Sequence, residues 1–327
     1  MAGKSKQARE ARSIPTRLRR LVTAAAIISF KTCVQAVPTS WDPCLAEWIQ
    51  RQVRFWFPKL ERRVHEHLLM IYGGELGQAE RLALARRIFG NLGRSLTEFM
   101  RMGQLSGDDI RRRTRIHGQH HLRRALEAGR GVLMVTGHYG NFEMMAACCG
   151  AYDLPITAVA RASNEELTEQ FIQRTRAHHN IRIVHKLAWR EALKTLRQGG
   201  IVGMLVDQAA LTGGVMADFL GHPASTAIGP LVLARQTGAA ILPCFVTRDA
   251  NGHQTVEMHG PLVLPQTDDE EADYREAAQR LNAVLGRQIR HRPEEWHWMH
   301  RRWKKPAAIR SNVPRLRHAL RVDEAAE

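Results

Sequence analysis

The feature that most constrains this chain is a strand, turn and helix pattern in residues 131–143. The run Val132 to Thr136 is apolar and rich in residues that favour β-structure, so it predicts a buried strand. Gly137 and Gly140 then break the run into a tight turn, and Asn141 is a suitable N-cap for a following helix. Open α/β sheets bind ligands at turns of this kind, outside the carboxyl ends of their strands.

Two side chains of this segment suit acid–base chemistry. His138 lies on the predicted turn and Glu143 lies in the first turn of the predicted helix. Their spacing is not a helix-face repeat, so the two side chains can meet only if the glycines fold the loop back. The positive end of the helix favours an ionised Glu143 and a neutral His138, which is the pairing that a general base requires. The alternative is a surface histidine beside an unrelated glutamate.

Length, charge and cysteine content narrow the class of protein. With 327 residues and 44% hydrophobic residues, the chain is long enough for one large α/β domain. The net charge of +16 implies an anionic partner, either nucleic acid, an anionic membrane or a phosphorylated or acidic substrate. The five cysteines form no C-x-x-C pair, which argues against a disulfide scaffold or a structural zinc site and is typical of a reducing cytoplasmic setting.

The pattern along the chain predicts four regions. Residues 1–40 are predicted to be a basic N-terminal arm, because the apolar run from Leu21 to Phe30 is shorter than the roughly 20 residues that span a bilayer. Residues 41–105 are predicted to be helical and amphipathic, residues 106–306 an α/β catalytic domain, and residues 307–327 a tail of mixed charge.

The helical region carries aromatic and basic residues together. In residues 41–72 tryptophan and phenylalanine recur at helical spacing, interrupted at Pro58, with arginine and lysine between them. This composition favours helices that associate with the interface of an anionic membrane. The alternative is a basic helix that packs on the body of the domain. Residues 75–105 predict one amphipathic helix, or a pair broken near Gly90 and Gly93.

The remaining sequence alternates between strand and helix patterns. Asp108 is predicted to cap a helix that runs to Glu127, and its His117 and His121 are one turn apart. That spacing could hold a metal ion, but without a third ligand an exposed helix face is favoured. Downstream strands are predicted at 156–160, 181–184, 201–206, 240–246 and 254–258, with helices at 141–151, 164–179, 187–198 and 226–236. The alternation predicts a central mixed, mostly parallel sheet flanked by helices.

The arrangement of His138 and Glu143 resembles the H-x4-D/E motif of the glycerolipid acyltransferase superfamily. Downstream segments are similar to the lipid A late acyltransferases, which are lauroyl and myristoyl transferases. The matching segments, in the family's order, are VARASN with Arg161, RTRAHHN with Arg176, DQ at Asp207 and Gln208 leading to GPLVLAR, ILPCFV, and WHWMHRRWKKP from Trp296. The resemblance covers about residues 60–306. Asn180 stands where the family usually has glycine, a mild departure because asparagine tolerates a left-handed backbone.

The resemblance implies a site and a reaction. His138 would remove the proton from an acceptor hydroxyl, and Glu143 would orient and stabilise the imidazole. Arg176 would contact the oxyanion or an acceptor phosphate, with Asp207 orienting it. Asn141, Arg161 and Gln208 would contact substrate. No G-x-S-x-G elbow is present, which favours direct attack on the acyl thioester without an acyl-enzyme.

The resemblance also implies partners and location. The donor would be an acyl-acyl carrier protein or acyl-coenzyme A, and the acceptor a lipid A precursor or related glycolipid. The enzyme would lie on the cytoplasmic face of the inner membrane, peripheral or monotopic, and use an anionic membrane surface. No metal, nucleotide or redox cofactor is implied, since no P-loop, Rossmann fingerprint or HExxH helix occurs.

Two alternatives remain open. The same fold could acylate a lysophospholipid or a mannoside, because relatives on one scaffold differ in the acceptor pocket. The alternative from another class is a basic nucleic-acid-binding protein, for which the pI of about 10.5 is the only support. No zinc-finger, RNP or basic-zipper pattern accompanies that charge, so we expect no nucleic-acid partner.

Overall fold

The computed structural model describes residues 25, 28–161, 163, 166–185, 189–211, 213–249 and 251–304. Most of the predicted basic arm and the whole of the predicted 307–327 tail lie outside the described residues. Ten helices of the described chain are α1 Asp42–Trp56, α2 Pro58–Tyr72, α3 Gln78–Met102, α4 Gly107–Arg113, α5 Gln119–Glu127, α6 Phe142–Ala151, α7 Glu166–His178, α8 Trp189–Arg197, α9 Gly229–Thr237 and α10 Glu270–His291.

The strands form one large sheet and a separate hairpin. They are β1 Thr114–His117, β2 Val132–Thr136, β3 Ile156–Ala160, β4 Ile181–His185, β5 Ile201–Leu205, β6 Gly214–Phe219, β7 His222–Ala227, β8 Ala240–Arg248 and β9 Gln254–Met258. The seven-stranded sheet has the order β1-β9-β8-β2-β5-β3-β4, and β6 pairs with β7 in an antiparallel hairpin. Strands β8, β2, β5, β3 and β4 are parallel neighbours, whereas β9 is antiparallel to β8. The predicted mixed, mostly parallel sheet flanked by helices is confirmed.

Strand β2 lies near the centre of the sheet, between β8 and β5. All five of its residues are buried, as its continuous apolar run predicts for a parallel strand covered on both faces. The chain leaves β2 for β3 and β4 and then returns to insert β5 beside β2. The carboxyl ends of β2 and β5 therefore lie side by side, and the loops that follow these two strands meet at one edge of the sheet.

The predicted helix from Asp108 to Glu127 is wrong. Residues Thr114–His117 form strand β1, which pairs in parallel with β9, and they separate two short helices. Gly118 follows with a φ of 76°, a left-handed conformation that ends the strand and starts α5. Ser106, rather than Asp108, caps α4 by accepting a hydrogen bond from the Asp109 backbone. The pairing of β1 with a strand more than a hundred residues away overrides the local helical pattern.

The stretch predicted as helical at residues 75–105 contains one helix, α3 Gln78–Met102, rather than a broken pair. Gly93 lies where α3 packs against α1, and a Cβ atom at this position would overlap the carbonyl oxygen of Ala46. The glycine therefore permits close approach of the two helices instead of ending one of them. Gly90 lies one turn earlier with no atom within 4 Å of its would-be Cβ.

The hairpin β6–β7 and the 22-residue helix α10 were not predicted as separate elements. They pack together: Asn282 of α10 donates hydrogen bonds to the Asp218 carbonyl oxygen and to Thr226 Oγ1. After α10 the chain runs back over the sheet edge near β2, where Tyr139 and Trp296 form an isolated antiparallel bridge.

Helices α1 and α2 meet at Phe57, and α2 begins at Pro58, so the predicted break is confirmed. Near this junction large hydrophobic side chains are exposed: Phe55 by 72%, Trp56 by 67% and Phe57 by 57%. Across the described residues, we find no helix whose length and apolarity would allow it to cross a bilayer.

We expect Gly93→Ala to destabilise the fold because the new methyl group must push α3 away from α1. Overpacking of this kind costs about 1–3 kcal/mol in the free energy of unfolding. Gly90→Ala is the matched control, since it places a methyl group in open space and gains roughly 0.5–1 kcal/mol from a stiffer unfolded chain. Urea unfolding of both variants measures the difference. Equal changes in the two variants would contradict the close packing at Gly93.

Candidate active site

His138 lies on the loop after β2 and is held by the carboxylate of Asp207. The His138 Nδ1 atom lies 2.7 Å from Asp207 Oδ1, and the His138 backbone N–H donates to Asp207 Oδ2 at 2.8 Å. A carboxylate oxygen only accepts, so Nδ1 carries the proton and Nε2 keeps its lone pair. The imidazole is 17% exposed, which leaves it accessible from the adjoining cavity.

The predicted contact between His138 and Glu143 is wrong, and so is the predicted contact between Arg176 and Asp207. Glu143 instead forms a bidentate ion pair with Arg176, with distances of 3.0 Å to Nε and 2.5 Å to Nη2. The physical reason is the topology. Asp207 follows β5, the neighbour of β2, whereas Glu143 begins α6 and faces an arginine from α7.

Gly137 permits the close approach of Asp207 to the loop. A Cβ atom at position 137 would lie 3.1 Å from Asp207 Oδ2, tighter than ordinary van der Waals contact. The ladder between the two strands extends to this point, because the Val206 N–H donates to the Thr136 carbonyl oxygen at 2.9 Å. The sequence Thr-Gly-His therefore brings a backbone N–H and an imidazole onto one carboxylate.

Asp207 is fully buried and has a third donor. Trp296 Nε1–H donates to Asp207 Oδ2 at 2.8 Å. Burial by itself raises the pKa of a carboxyl group, but attraction to the imidazolium that His138 forms when it is protonated, with the hydrogen bonds from His138 and Trp296, holds the pKa of Asp207 well below its usual range. The carboxylate is thus ionised and satisfied without a cationic arginine or lysine in direct contact.

The segment after α10 forms the other wall of the site. The His297 backbone N–H donates to the His138 carbonyl oxygen, and the Gly140 N–H donates to the Glu295 carbonyl oxygen, both at 2.9 Å. The His300 ring packs edge-on against the His138 ring, with centroids 4.3 Å apart. Burial, aided by nearby positive charge, lowers the pKa of His300 to about 4 and that of His297 to about 3, so both are neutral at pH 7.

This wall is anchored by a buried arginine and by helix α2. Arg302 is fully buried and donates to the Ser225 carbonyl oxygen, Thr226 Oγ1 and Asn282 Oδ1, which ties the segment to the hairpin and α10. From α2, His67 and Arg63 contact the carbonyl oxygens of Trp298 and Met299 at 2.8 Å and 2.7 Å. Trp296 and Trp298 are buried, and Trp296 additionally contacts the site carboxylate.

The three predicted substrate contacts lie in different surroundings. Gln208 is exposed, and its Nε2 atom lies 3.4 Å from both His138 Nε2 and His300 Nδ1. Asn141 caps α6, as predicted, by accepting a hydrogen bond from the Met144 N–H. Its side-chain amide also donates to Glu98. Arg161 is exposed at the end of β3 and lines neither of the two cavities beside His138 and Glu143.

Two apolar cavities adjoin these residues. The larger, about 260 Å³, lies between the His138 loop and α3, and its apolar wall is formed by Ile88, Leu92, Leu96 and Phe99. The smaller, about 70 Å³, lies over β3 and β5 and includes Arg176 in its lining. Phe142 and Glu143 line both cavities, so the Glu143–Arg176 pair stands at the partition between them.

Sequence reasoning missed His297, His300, Glu98 and Arg248. Arg248 is buried and makes a bidentate pair with Glu98, at 2.7 Å for each contact. Glu98 in turn accepts a hydrogen bond from the Asn141 side chain. The signal for His300 was present in the WHWMHRRW run, where the two histidines flank one tryptophan and one methionine. No periodicity in the sequence indicates that this run folds back onto the His138 loop.

The arrangement can remove a proton from a hydroxyl group beside an apolar chain. Asp207 fixes the tautomer in which the neutral His138 ring carries a lone pair on Nε2, and the larger cavity offers an apolar lining next to this ring. In the described part of the chain, His138, Asp207 and His300 are also the group whose potential ligand atoms converge to within 4.8 Å.

Comparison of the sequence with known proteins identifies a family. A sequence model of the family described as bacterial lipid A biosynthesis acyltransferase matches residues 11–305. The chain is 28% identical to a lipid A biosynthesis lauroyltransferase of Escherichia coli (strain K12), over 76% of this chain and 80% of that protein. It is 27% identical to a lipid A biosynthesis palmitoleoyltransferase of the same organism, over 69% of this chain and 72% of that protein.

A second group of relatives is named for another acceptor. A phosphatidylinositol mannoside acyltransferase of Mycobacterium tuberculosis (strain CDC 1551 / Oshkosh) is 28% identical over 58% of this chain and 59% of that protein. The match to the family model covers most of the sequence, including every element from α1 to the segment after α10. This chain belongs to the bacterial lipid A biosynthesis acyltransferase family and is an acyltransferase.

Proposed function

We propose that this enzyme transfers a fatty acyl group from a thioester to a hydroxyl group of a glycolipid, with His138 as the general base. Membership of the family supports an acyl donor and a glycolipid acceptor. The observation that carries the assignment of the base is the 2.7 Å contact between His138 Nδ1 and the buried carboxylate of Asp207. That contact leaves the Nε2 lone pair available on the cavity side of the ring.

The reaction follows from this placement. His138 Nε2 takes the proton of the acceptor hydroxyl as its oxygen attacks the thioester carbonyl carbon. The tetrahedral intermediate then expels the thiolate, the carbon–sulfur bond breaks, and the imidazolium returns the proton to sulfur. Asp207 stabilises the transient positive charge on the ring, as a triad carboxylate does. No covalent acyl-enzyme is required.

Glu143 acts in this proposal through Arg176 rather than through His138. The bidentate pair fixes the guanidinium beside the smaller cavity, which shares Phe142 and Glu143 with the larger cavity beside His138. Two N–H groups of Arg176 are used by Glu143, and the remaining donors are free to contact an oxyanion or an acceptor phosphate. Glu143 is therefore a positioning residue in this account.

The larger cavity is the proposed site of an acyl chain. Its lining is almost entirely apolar, and it contacts His138 at one end and the apolar side chains of α3 along its length. Burial of a fatty chain against such a wall is favourable by about 0.8 kcal/mol for each methylene group. The donor would be an acyl-acyl carrier protein or acyl-coenzyme A, and the net charge of +16 favours association with either anionic donor.

The first proposed acceptor is a lipid A precursor, because the match covers 80% of the lauroyltransferase and 59% of the mannoside acyltransferase. The second candidate is a mannoside glycolipid, which is favoured by the named activity of the mycobacterial relatives. Both acceptors present a sugar-linked hydroxyl group and a phosphate. Mass spectrometry of products from a panel of acceptors would distinguish them.

We expect His138→Ala and Asp207→Asn each to lower kcat by about 10²–10⁴-fold. His138→Ala removes the base, and Asp207→Asn removes the carboxylate that fixes the tautomer of the base. The double variant should be no slower than His138→Ala alone, since the two groups act as one unit. Glu143→Gln and Arg176→Gln should be non-additive with each other and additive with Asp207→Asn. Steady-state rates of acyl transfer measure all of these.

The matched control is Asp249→Asn, which changes a carboxylate in the exposed turn before β9 and should leave kcat unchanged. Strong coupling between Glu143→Gln and His138→Ala, with none between Asp207→Asn and His138→Ala, would contradict the proposed division of roles.

A membrane-facing surface is proposed along α1 and at its junction with α2. Trp41, Trp48, Phe55, Trp56 and Phe57 are all at least half exposed, and the neighbouring Arg51, Lys59 and Arg62 are exposed as well. Aromatic rings flanked by basic side chains fit the interface of an anionic bilayer, where each basic residue adds about 1 kcal/mol. This surface would hold the enzyme at the cytoplasmic face of the inner membrane as a peripheral or monotopic protein.

We expect the triple variant Phe55→Ser, Trp56→Ser, Phe57→Ser to lose at least tenfold in affinity for vesicles of phosphatidylglycerol, because its apolar contact area is removed. Vesicle flotation at moderate salt measures the binding. Val263→Ser, which changes an exposed hydrophobic residue after β9, is the control and should bind like the unaltered protein. Unchanged flotation of the triple variant, or retention on DNA in place of vesicles, would overturn this surface.

A further inference from the structure

Two imidazole nitrogens of the site converge on one point. Gln208 Nε2 lies 3.4 Å from His138 Nε2 and also 3.4 Å from His300 Nδ1. An amide NH₂ group donates, so each ring nitrogen can accept from it in the tautomer that leaves a lone pair on that nitrogen. Both contacts are long, and the Gln208 side chain is exposed. The point is therefore occupied by a weakly held group that can rotate away.

His300 has no strong hydrogen bond in this arrangement. Its Nε2 atom is buried without a partner, and its Nδ1 atom has only the long contact with Gln208. Buried polar atoms of proteins are usually satisfied, so an imidazole in this state needs an explanation. A ligand that binds through Nδ1 would give this ring its one strong contact, with Nε2 still unpaired.

His138 is prepared for the same kind of ligand. Histidines that bind metal ions usually donate their other ring N–H to a carboxylate, which fixes the tautomer and raises the basicity of the ligating nitrogen. Asp207 has this relation to His138, at 2.7 Å from Nδ1. The lone pair that serves as the base is thus also suited to coordinate a cation.

We propose that His138 Nε2 and His300 Nδ1 bind a Zn²⁺ ion that reversibly blocks the site. Imidazole nitrogen is a preferred ligand of zinc, at about 2.0–2.1 Å, and Asp207 supports the first ligand from behind. A rotated Gln208 amide presents its oxygen as a third ligand, and water completes the tetrahedron. The zinc is an inhibitor in this proposal, because it occupies the lone pair that must accept the proton.

The fit requires only a small movement. Potential ligand atoms of His138, Asp207 and His300 all lie within 4.8 Å of one another. Two nitrogens on a tetrahedral zinc ion are separated by about 3.4 Å, so His138 Nε2 and His300 Nδ1 must approach each other by about 1.4 Å if they start at that limit. Among the residues that the structure describes, His117 and His121 have no such third group beside them.

Zinc binding itself does not depend on the proposed function, whereas its inhibitory effect does. The test therefore begins without substrate. Purified full-length protein in detergent micelles is titrated with Zn²⁺ in competition with a chromophoric chelator. We expect one equivalent to bind, with at least a tenfold loss of affinity in His300→Ala and in His300→Gln. His121→Ala should bind like the unaltered protein, because that histidine lies on α5, outside the group of His138, Asp207 and His300.

X-ray absorption is measured on the zinc-loaded, unaltered protein, so its result does not depend on whether a variant folds. We expect scattering from two imidazoles, with zinc–nitrogen distances of about 2.0–2.1 Å. In the acyl-transfer assay the same zinc concentration should inhibit the unaltered enzyme, and a chelator should restore the rate. The proposal is overturned by a lack of stoichiometric binding, by full affinity in both His300 variants, or by an absorption spectrum without imidazole.

Discussion

The site depends on one buried carboxylate at the edge of the sheet. Asp207 accepts hydrogen bonds from the His138 ring, the His138 backbone and Trp296, and these donors replace the water that burial removes. Such a group is costly to bury unless it is fully satisfied, and removal of one partner of a buried pair typically costs about 3–5 kcal/mol. Asp207 therefore holds the loop after β2 and the segment after α10 together, because it accepts hydrogen bonds from both.

That constraint links distant parts of the chain. Trp296 reaches Asp207 only because its segment pairs with the His138 loop, and Arg302 fixes the far end of that segment to the hairpin and α10. Helix α2 contacts the same segment through Arg63 and His67. The exposed aromatic surface at the junction of α1 and α2 is thus joined to the site by a short series of direct contacts. Through α2, a membrane bound at that surface would be linked to the segment that forms one wall of the proposed acyl cavity.

Much of the fold is readable from the sequence because it is local. The buried run of β2, the glycine turn, the Asn141 cap and the break at Pro58 follow from periodicity and backbone preferences, and the structure confirms them. The helix predicted across Thr114–His117 is wrong because β1 is stabilised by a partner strand far along the chain. Nothing in a local window contains that information.

The site shows the same division between local and distant information. His138 and Glu143 lie close together in the sequence, and the motif predicts that they are partners. In the structure His138 contacts Asp207, which follows the neighbouring strand, and Glu143 pairs with Arg176. Asp207 was expected at the carboxyl end of a strand in the same sheet as His138, and that placement is correct. Its adjacency to β2 rests on the return of the chain from β4, a feature of topology that no motif encodes. His300 was missed for the same reason.

The central claim is that Asp207, and not Glu143, fixes the tautomer of His138. Nitrogen-15 NMR of selectively histidine-labelled protein tests it directly, because the two ring nitrogens have different shifts when protonated and unprotonated. We predict that His138 in the unaltered protein carries its proton on Nδ1, that Asp207→Asn changes this tautomer, and that Glu143→Gln leaves it unchanged. A tautomer that changes in Glu143→Gln and persists in Asp207→Asn would contradict the account.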